Sequence, residues 1–180
     1  LRHRPLMLDT LYGGGPDVDA AIYEFSSAHR DSGAKVPRTH LRVGPSIRPA
    51  NPPQTSDCPF RDLARTKATL VEDEGRQPDF TKKWLTEVMV ADRRNDTHAL
   101  ISQLTVLFHL LHNEIMRKLE ARPVKIENCS TTEAAYRRFL CARAAVTLIY
   151  RSIVEKDVLQ RILHPAVQAR YADPTAGLLD

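Results

Sequence analysis

The sequence predicts a mainly α domain with a loop-rich N-terminal third, and three observations carry that reading. Apolar residues recur at spacings of three and four from Ala99 to about Leu119, as an amphipathic helix requires. A second stretch of the same kind begins near Thr132. Ahead of both, "YGGGPD" holds three of the seven glycines and "VGPSIRPANPPQTSDCPF" five of the twelve prolines. Proline removes an amide donor and fixes φ, which rules out a regular helix or a central strand there. Residues 1–76 therefore read as extended segments and loops laid over a helical core at 77–171, within a single domain across 1–180.

At 180 residues the chain is long enough for one domain with a real core, or for a large piece of a bigger one. Its leading leucine suggests a start partway through a longer product. Hydrophobic residues at 42% and charged residues at 27% are a globular balance. The net charge of +4 is spread among acids, and aromatics are only 6%, so nucleic acid is not an expected partner. No apolar run approaches the ~20 residues of a membrane span. "LRHRPLMLDT" lacks the apolar region and cleavage site of a signal peptide, so the compartment is not readable.

In chain order, "YGGGPD" predicts a tight turn with close backbone packing. It is not a phosphate loop, because no Gly-Lys-Ser/Thr follows and Pro16 has no amide hydrogen. "DVDAAIYEF" has the pattern of two helical turns, and "FTKKWLTEVMV" of a short helix or an apolar approach segment. Asp96 is the expected N-cap of the next helix. That helix carries Leu100, Leu104, Leu107, Leu111 and Ile115 as its stripe, widened by Ile101, Phe108 and His112. "ARPVKIENCSTTEAA" breaks the pattern, with Ser130 or Thr131 as the next cap. The second helix presents Phe139, Ala142, Val146, Ile149 and Ile153, and its continuation "EKDVLQRIL" ends at His164–Pro165. Cys58, Cys129 and Cys141 have no metal-like spacing, and Cys141 reads as a small core residue.

His109 and His112 lie three apart with Glu114 nearby, a spacing that helical metal sites use. Such sites need further ligands, and the second helix offers no matching His/Glu pair. A buried, hydrogen-bonded structural role is the better reading of His112. Directly ahead of the same helix, "ADRRND" reads by spacing alone as a solvated helix start.

Three stretches in order change that last reading. "RPLMLDTLYGGGPD" resembles the Leu-Asp-Leu-Asp-Ser-Val-Tyr-Gly-Gly-Gly-Pro segment of the animal-type haem peroxidases, of the peroxidase–cyclooxygenase superfamily, and especially their bacterial members. "ADRRNDTHALISQLTVLFHLLHNEI" resembles their Gly-Asp-x-Arg-x-x-Glu followed by a helix ending in His-Asn. "FLCARAAVTLIYRSIVEKDVLQRIL" resembles Phe-x-x-Ala-Arg-x-x-Val with Ile-Val-x-x-Asp-x-Leu after it. The set spans about residues 4–163.

The resemblance implies the helical core segment of the haem peroxidase fold, haem b as cofactor, and oxidation of a small reductant or halide by hydrogen peroxide. It places Arg94 on the family's distal arginine, where a guanidinium stabilises charge developing on the departing peroxide oxygen. The glutamate that ester-links haem in many relatives is Thr97 here, and the following position, a haem-linked methionine in some, is His98; both are near haem by motif position. In the calcium loop Asp9 is kept, but the first aspartate is Met7, and a thioether is a poor ligand for a hard cation. The family's distal and proximal histidines lie in segments outside these 180 residues, so this chain alone is expected to be inactive. The rival expectation is a non-catalytic helical interaction domain. Helices packed against segments outside the chain imply a homo-oligomer or another chain completing the core, with Leu104, Phe108, Leu111 and Ile149 at or near the contacts.

Overall fold

Two long helices organise the described residues: α2 (Ala99–Ala121) and α3 (Thr131–Ile153) pack on each other, and the elements ahead of them pack on α2. The computed structural model describes residues 6–25, 37–46, 61–66, 87–122 and 129–172. Of these, 64% are helical and 10% lie in strands, so the mainly α expectation holds. Ahead of the helices come a one-turn helix α1 (Asp9–Tyr12) and two short antiparallel ribbons. One pairs β1 (Tyr23–Glu24) with β2 (His40–Leu41), the other β3 (Val43–Ser46) with β4 (Arg61–Leu63). A 3-10 turn (Arg93–Asp96) leads into α2. After α3 the helix widens into a π turn at Val154–Val158, then runs through α4 (Leu159–Ile162) to a break before α5 (Pro165–Ala172). No helix among the described residues is long and apolar enough to cross a membrane.

Local chemistry sets several boundaries. Ser130 caps α3 by accepting from the Glu133 amide at 3.1 Å, as its position predicts. Gly13 has φ 54°, a left-handed conformation costly for other residues, and it ends α1 so that the chain can turn back. At Gly44 the two strands of the second ribbon approach so closely that a Cβ would meet the Asp62 and Leu63 carbonyls at 2.7 Å. Each ribbon has only two strands, so Pro45 in β3 interrupts no central strand.

The core gathers Leu11, Tyr12, Ile22, Tyr23, Leu41, Met116, Phe139, Ala142 and Val146. Phe139 is its centre: its ring stands edge-on to Tyr12, Tyr23 and His112 at centroid distances of 6.1, 5.7 and 5.6 Å. α1 and the β1–β2 ribbon therefore lie over a two-helix support, and Tyr12 and Tyr23 fill the gap.

Four expectations are corrected. The α2 stripe faces outward in its first half, with Leu100 at 84%, Leu104 at 49% and Leu107 at 60% exposure. The buried face is instead Ser102, Thr105, Val106, His109, His112 and Met116. Its hydroxyls are satisfied inside the helix, Ser102 Oγ on Ala99 O and Thr105 Oγ1 on Ile101 O, so little polar burial is left uncompensated. Asp96 does not cap α2: His98 holds that position, and the Asp96 carboxylate is taken by Arg65. Cys141 is exposed rather than core, because Phe139 and Ala142 set the buried phase of α3; on the same helix Ile149 and Ile153 are also largely exposed. "DVDAAIYEF" makes only a 3-10 turn (Ala20–Ile22) before Tyr23 pairs with Leu41 as a strand. Of "FTKKWLTEVMV", residues 80–86 lie outside the described residues, and Val88 forms an isolated bridge with Arg65.

The reversed phase of α2 has a measurable consequence. Met116→Ala should cost about 2–5 kcal/mol by opening a cavity in the core. Leu100→Ala should stay within about 0.5 kcal/mol, as surface changes do. Urea denaturation of the two variants checks this, and equal losses would mean that Leu100 is buried.

Candidate functional site

The turn that carries Arg94 is built by its own first acid. Asp92 has extended backbone and accepts from the Arg94 amide at 2.9 Å, which closes the 3-10 turn. The same carboxylate takes the Arg94 guanidinium through Nε at 3.0 Å to each oxygen and through a short Nη2 bond. This two-pronged grip pre-sets the planar fork. It also pushes the Asp92 carboxyl down to about 2, the Arg94 side chain being the first cause and its amide the next. The Arg94 side chain is 78% exposed, so it is aimed outward rather than buried in an ion pair.

Neighbouring side chains fasten the turn from three sides. Arg93 Nη2 reaches Glu87 at 2.8 Å, Asn95 Nδ2 donates to Thr10 O at 2.8 Å, and Asp96 is held by Arg65. Thr97 donates its hydroxyl back to Arg94 O at 2.9 Å, and His98 is exposed at the start of α2. Beyond them stands the uncovered face with Leu100, Ile101, Leu104 and Leu107.

A second polar centre lies deeper, on the middle of α2. His112 Nε2 donates to Thr39 O at 3.0 Å, which leaves Nδ1 to accept from the Tyr12 hydroxyl at 3.1 Å. With two ring nitrogens engaged and no exposure, His112 has none free for a metal. His109 is buried as well and bonds Arg42 O through Nδ1 at 2.9 Å. Asn113 completes the row, accepting from the Leu41 amide and donating to its carbonyl, each at 2.8 Å. Tyr23 closes the cluster by donating to Tyr12 O at 2.7 Å. Burial pushes the phenols of Tyr12 and Tyr23 up, so they act as neutral donors. The structural reading of His112 stands.

The haem that the resemblance implies needs an axial ligand and apolar walls. His112, with both nitrogens bonded, does not offer an axial nitrogen, and His109 is buried with its Nδ1 on a backbone carbonyl. Arg94 and His98, exposed with Leu100 and Ile101 at the start of α2, are the described residues that would line such a site. The calcium loop does not fit its ion. Asp9 Oδ1 lies 3.6 Å from Arg143 Nη2, and Met7 Sδ receives Arg151 Nη2 at 3.2 Å. Two guanidinium groups face the positions where a divalent cation would need carboxylates. Among the described residues, no group of three or more His, Cys, Asp or Glu is placed to hold a metal.

No family model matches the chain, and no curated protein or solved structure matches it.

Sequence reasoning missed Arg65, Asn95 and Asn113. Arg65 and Asp96 are separated by 31 residues, and no periodicity connects them. Asn113 had a signal in its His-Asn pair, but the strand it holds is 72 residues away.

Two predictions follow from this geometry. Burial, the largest cause, depresses His112 to about 4, with His40 and His109 adding to it and the Thr39 carbonyl opposing. The unfolded chain binds this proton near the ordinary value of about 6.5. Stability is therefore complete above about 6.5 and falls as the pH drops toward about 4, by roughly 3 kcal/mol at most. His109, also pushed down by burial, acts in the same direction. Denaturant titrations at stepped pH should show this slope, shallower in His112→Asn; an unchanged slope would refute the buried neutral histidine. For calcium, any binding to the folded chain adds RT ln(1 + [L]/Kd) of stability. Millimolar calcium should leave the melting temperature unchanged, and a saturable, calcium-specific rise would overturn the reading of Asp9.

Proposed function

We propose that this chain is the central helical segment of a haem peroxidase-type domain, with Arg94 as its distal arginine. One observation carries the reading. The three stretches that resemble the family meet in a single cluster: Tyr12 from the first bonds His112 from the second, and Phe139 from the third packs on both rings. Stretches so far apart in sequence have reason to match one family together if they form one packed unit.

Haem, when bound, supplies the two-electron reduction of hydrogen peroxide and the oxidation of a small reductant or halide. The chain's own part is Arg94. Its guanidinium would hydrogen-bond the peroxide and would stabilise negative charge developing on the departing oxygen. Asp92 limits its rotation, so little reorganisation remains at the moment of reaction. Thr97 offers no carboxylate for an ester to haem, and its hydroxyl is bonded to Arg94 O. The two histidines of the reaction come, on this reading, from segments outside these 180 residues.

A second reading, a non-catalytic helical interaction domain, is favoured by the exposed Leu100, Ile101, Leu104 and Leu107. Haem titration separates the two. The 180-residue chain should take haem weakly and without stoichiometry, whereas the protein of the natural reading frame should give a sharp, stoichiometric Soret band. In that protein Arg94→Gln should lower kcat/KM for hydrogen peroxide by about 10²–10³-fold, followed by stopped flow. Absence of a sharp band in the natural protein, or an unchanged peroxide rate in the variant, would overturn the peroxidase reading.

A further inference from the structure

Resting on the peroxidase-type reading of Arg94, we propose that Arg65 is its positioning residue. Arg65 follows β4, the strand that lies against α2, and it takes no part in the resemblance. Its guanidinium grips Asp96 with two parallel bonds, Nη2 to Oδ1 at 2.7 Å and Nη1 to Oδ2 at 2.9 Å. Nε is anchored at the same time to Asp62 Oδ2 at 2.9 Å. The fork is thus fixed at its root by one carboxylate and presents its far edge to another. Only arginine has the planar, five-donor shape for this, and lysine would have to choose between the two acids.

Asp96 is the last residue of the 3-10 turn (Arg93–Asp96), whose N-cap, Asp92, holds Arg94. Clamping the far end fixes the direction in which Asp92 and Arg94 project. The backbone supports the same attachment: Thr66 N donates to Glu87 O at 2.8 Å and Met89 N to Ala64 O at 2.7 Å, binding residues 64–66 to the approach to the turn. Arg65 thereby sits where two extended segments and the turn converge, and its charge is spent on holding rather than on facing solvent. A displacement of the reacting group by about 1 Å can cost about 100-fold in rate, so a holder of this kind carries catalytic weight without touching substrate.

The test has an arm that does not depend on haem. In the 180-residue chain, Arg65→Gln should speed amide hydrogen exchange at Arg94, Asn95 and Thr97 by about 10- to 100-fold, the loss expected for charge-assisted bonds. Amides in the middle of α2 and α3 should keep their protection. Asp96→Asn, nearly isosteric and able to fold where Arg65→Gln does not, should loosen the same three amides. The double variant should add nothing to either. Unchanged exchange at the turn, or equal loosening throughout the chain, would overturn the proposal.

The second arm uses the haem-loaded natural protein, where Arg65→Gln should reduce kcat/KM for peroxide by about 10- to 100-fold. KM for the reductant should not move. If Arg94→Gln slows the peroxide step and Arg65→Gln does not, the positioning role alone falls. If Arg94→Gln has no effect, the peroxidase reading falls and takes this role with it.

Discussion

A neutral His112 is the constraint on which the rest of the structure depends. Its two nitrogens hold segments 100 and 73 residues away, Tyr12 on one side and Thr39 on the other. Both segments also bury apolar side chains against the helices, Leu11 and Tyr12 from one and Leu41 from the other. The ring has to be neutral to serve as acceptor and donor at once, and it has to be buried for those bonds to resist water. His109 and Asn113 repeat the device along the same edge of α2. Together the three side chains treat the backbone of residues 39–42 as a neighbouring strand would, giving its carbonyls and one amide the partners that burial demands.

That edge explains why the first half of α2 turns Leu100, Leu104 and Leu107 outward, while Leu111, Ile115 and Leu119 farther along pack against the core. Burying Leu100, Leu104 and Leu107 would expose Ser102, Thr105 and His109, and residues 39–42 would lose their hydrogen-bonding edge. Orphaning several buried backbone groups costs about 1–3 kcal/mol each, comparable to the apolar gain per leucine of about 1.5–3 kcal/mol. The comparison is close per residue, so number and geometry decide it. The His112–Phe139 ring contact, at 5.6 Å, adds to the observed phase.

What the sequence made legible was local. The glycine turn, the Ser130 cap and the two long helices each rest on residues within a few positions of one another. The phase of α2 was not legible, because an apolar stripe indicates that a helix has a side to cover without saying which segment covers it. Cys141 and Asp96 failed for the same reason. A cysteine in a helix is buried or exposed according to its neighbour's phase. An acid ahead of a helix caps it only if no guanidinium competes, and Arg65 does compete. Of the candidate site, Arg94 was marked by motif and His112 by burial, while Arg65 and Asn95, which fasten the turn, had no sequence signal at all.

The two polar centres respond to acid in different ways, and this separates structure from chemistry. The guanidinium of Arg65 stays charged wherever His112 titrates, its pKa being raised by its bonds to Asp96 and Asp62. Asp92 keeps its charge down to about pH 2 because Arg94 holds it. Between pH 6.5 and 4 the turn therefore retains its Arg94–Asp92 pair while the buried histidines begin to favour the unfolded chain. A loss of function in that window would come from the support loosening beneath α1 and residues 39–42. The guanidinium at the surface would keep its charge and its partner throughout.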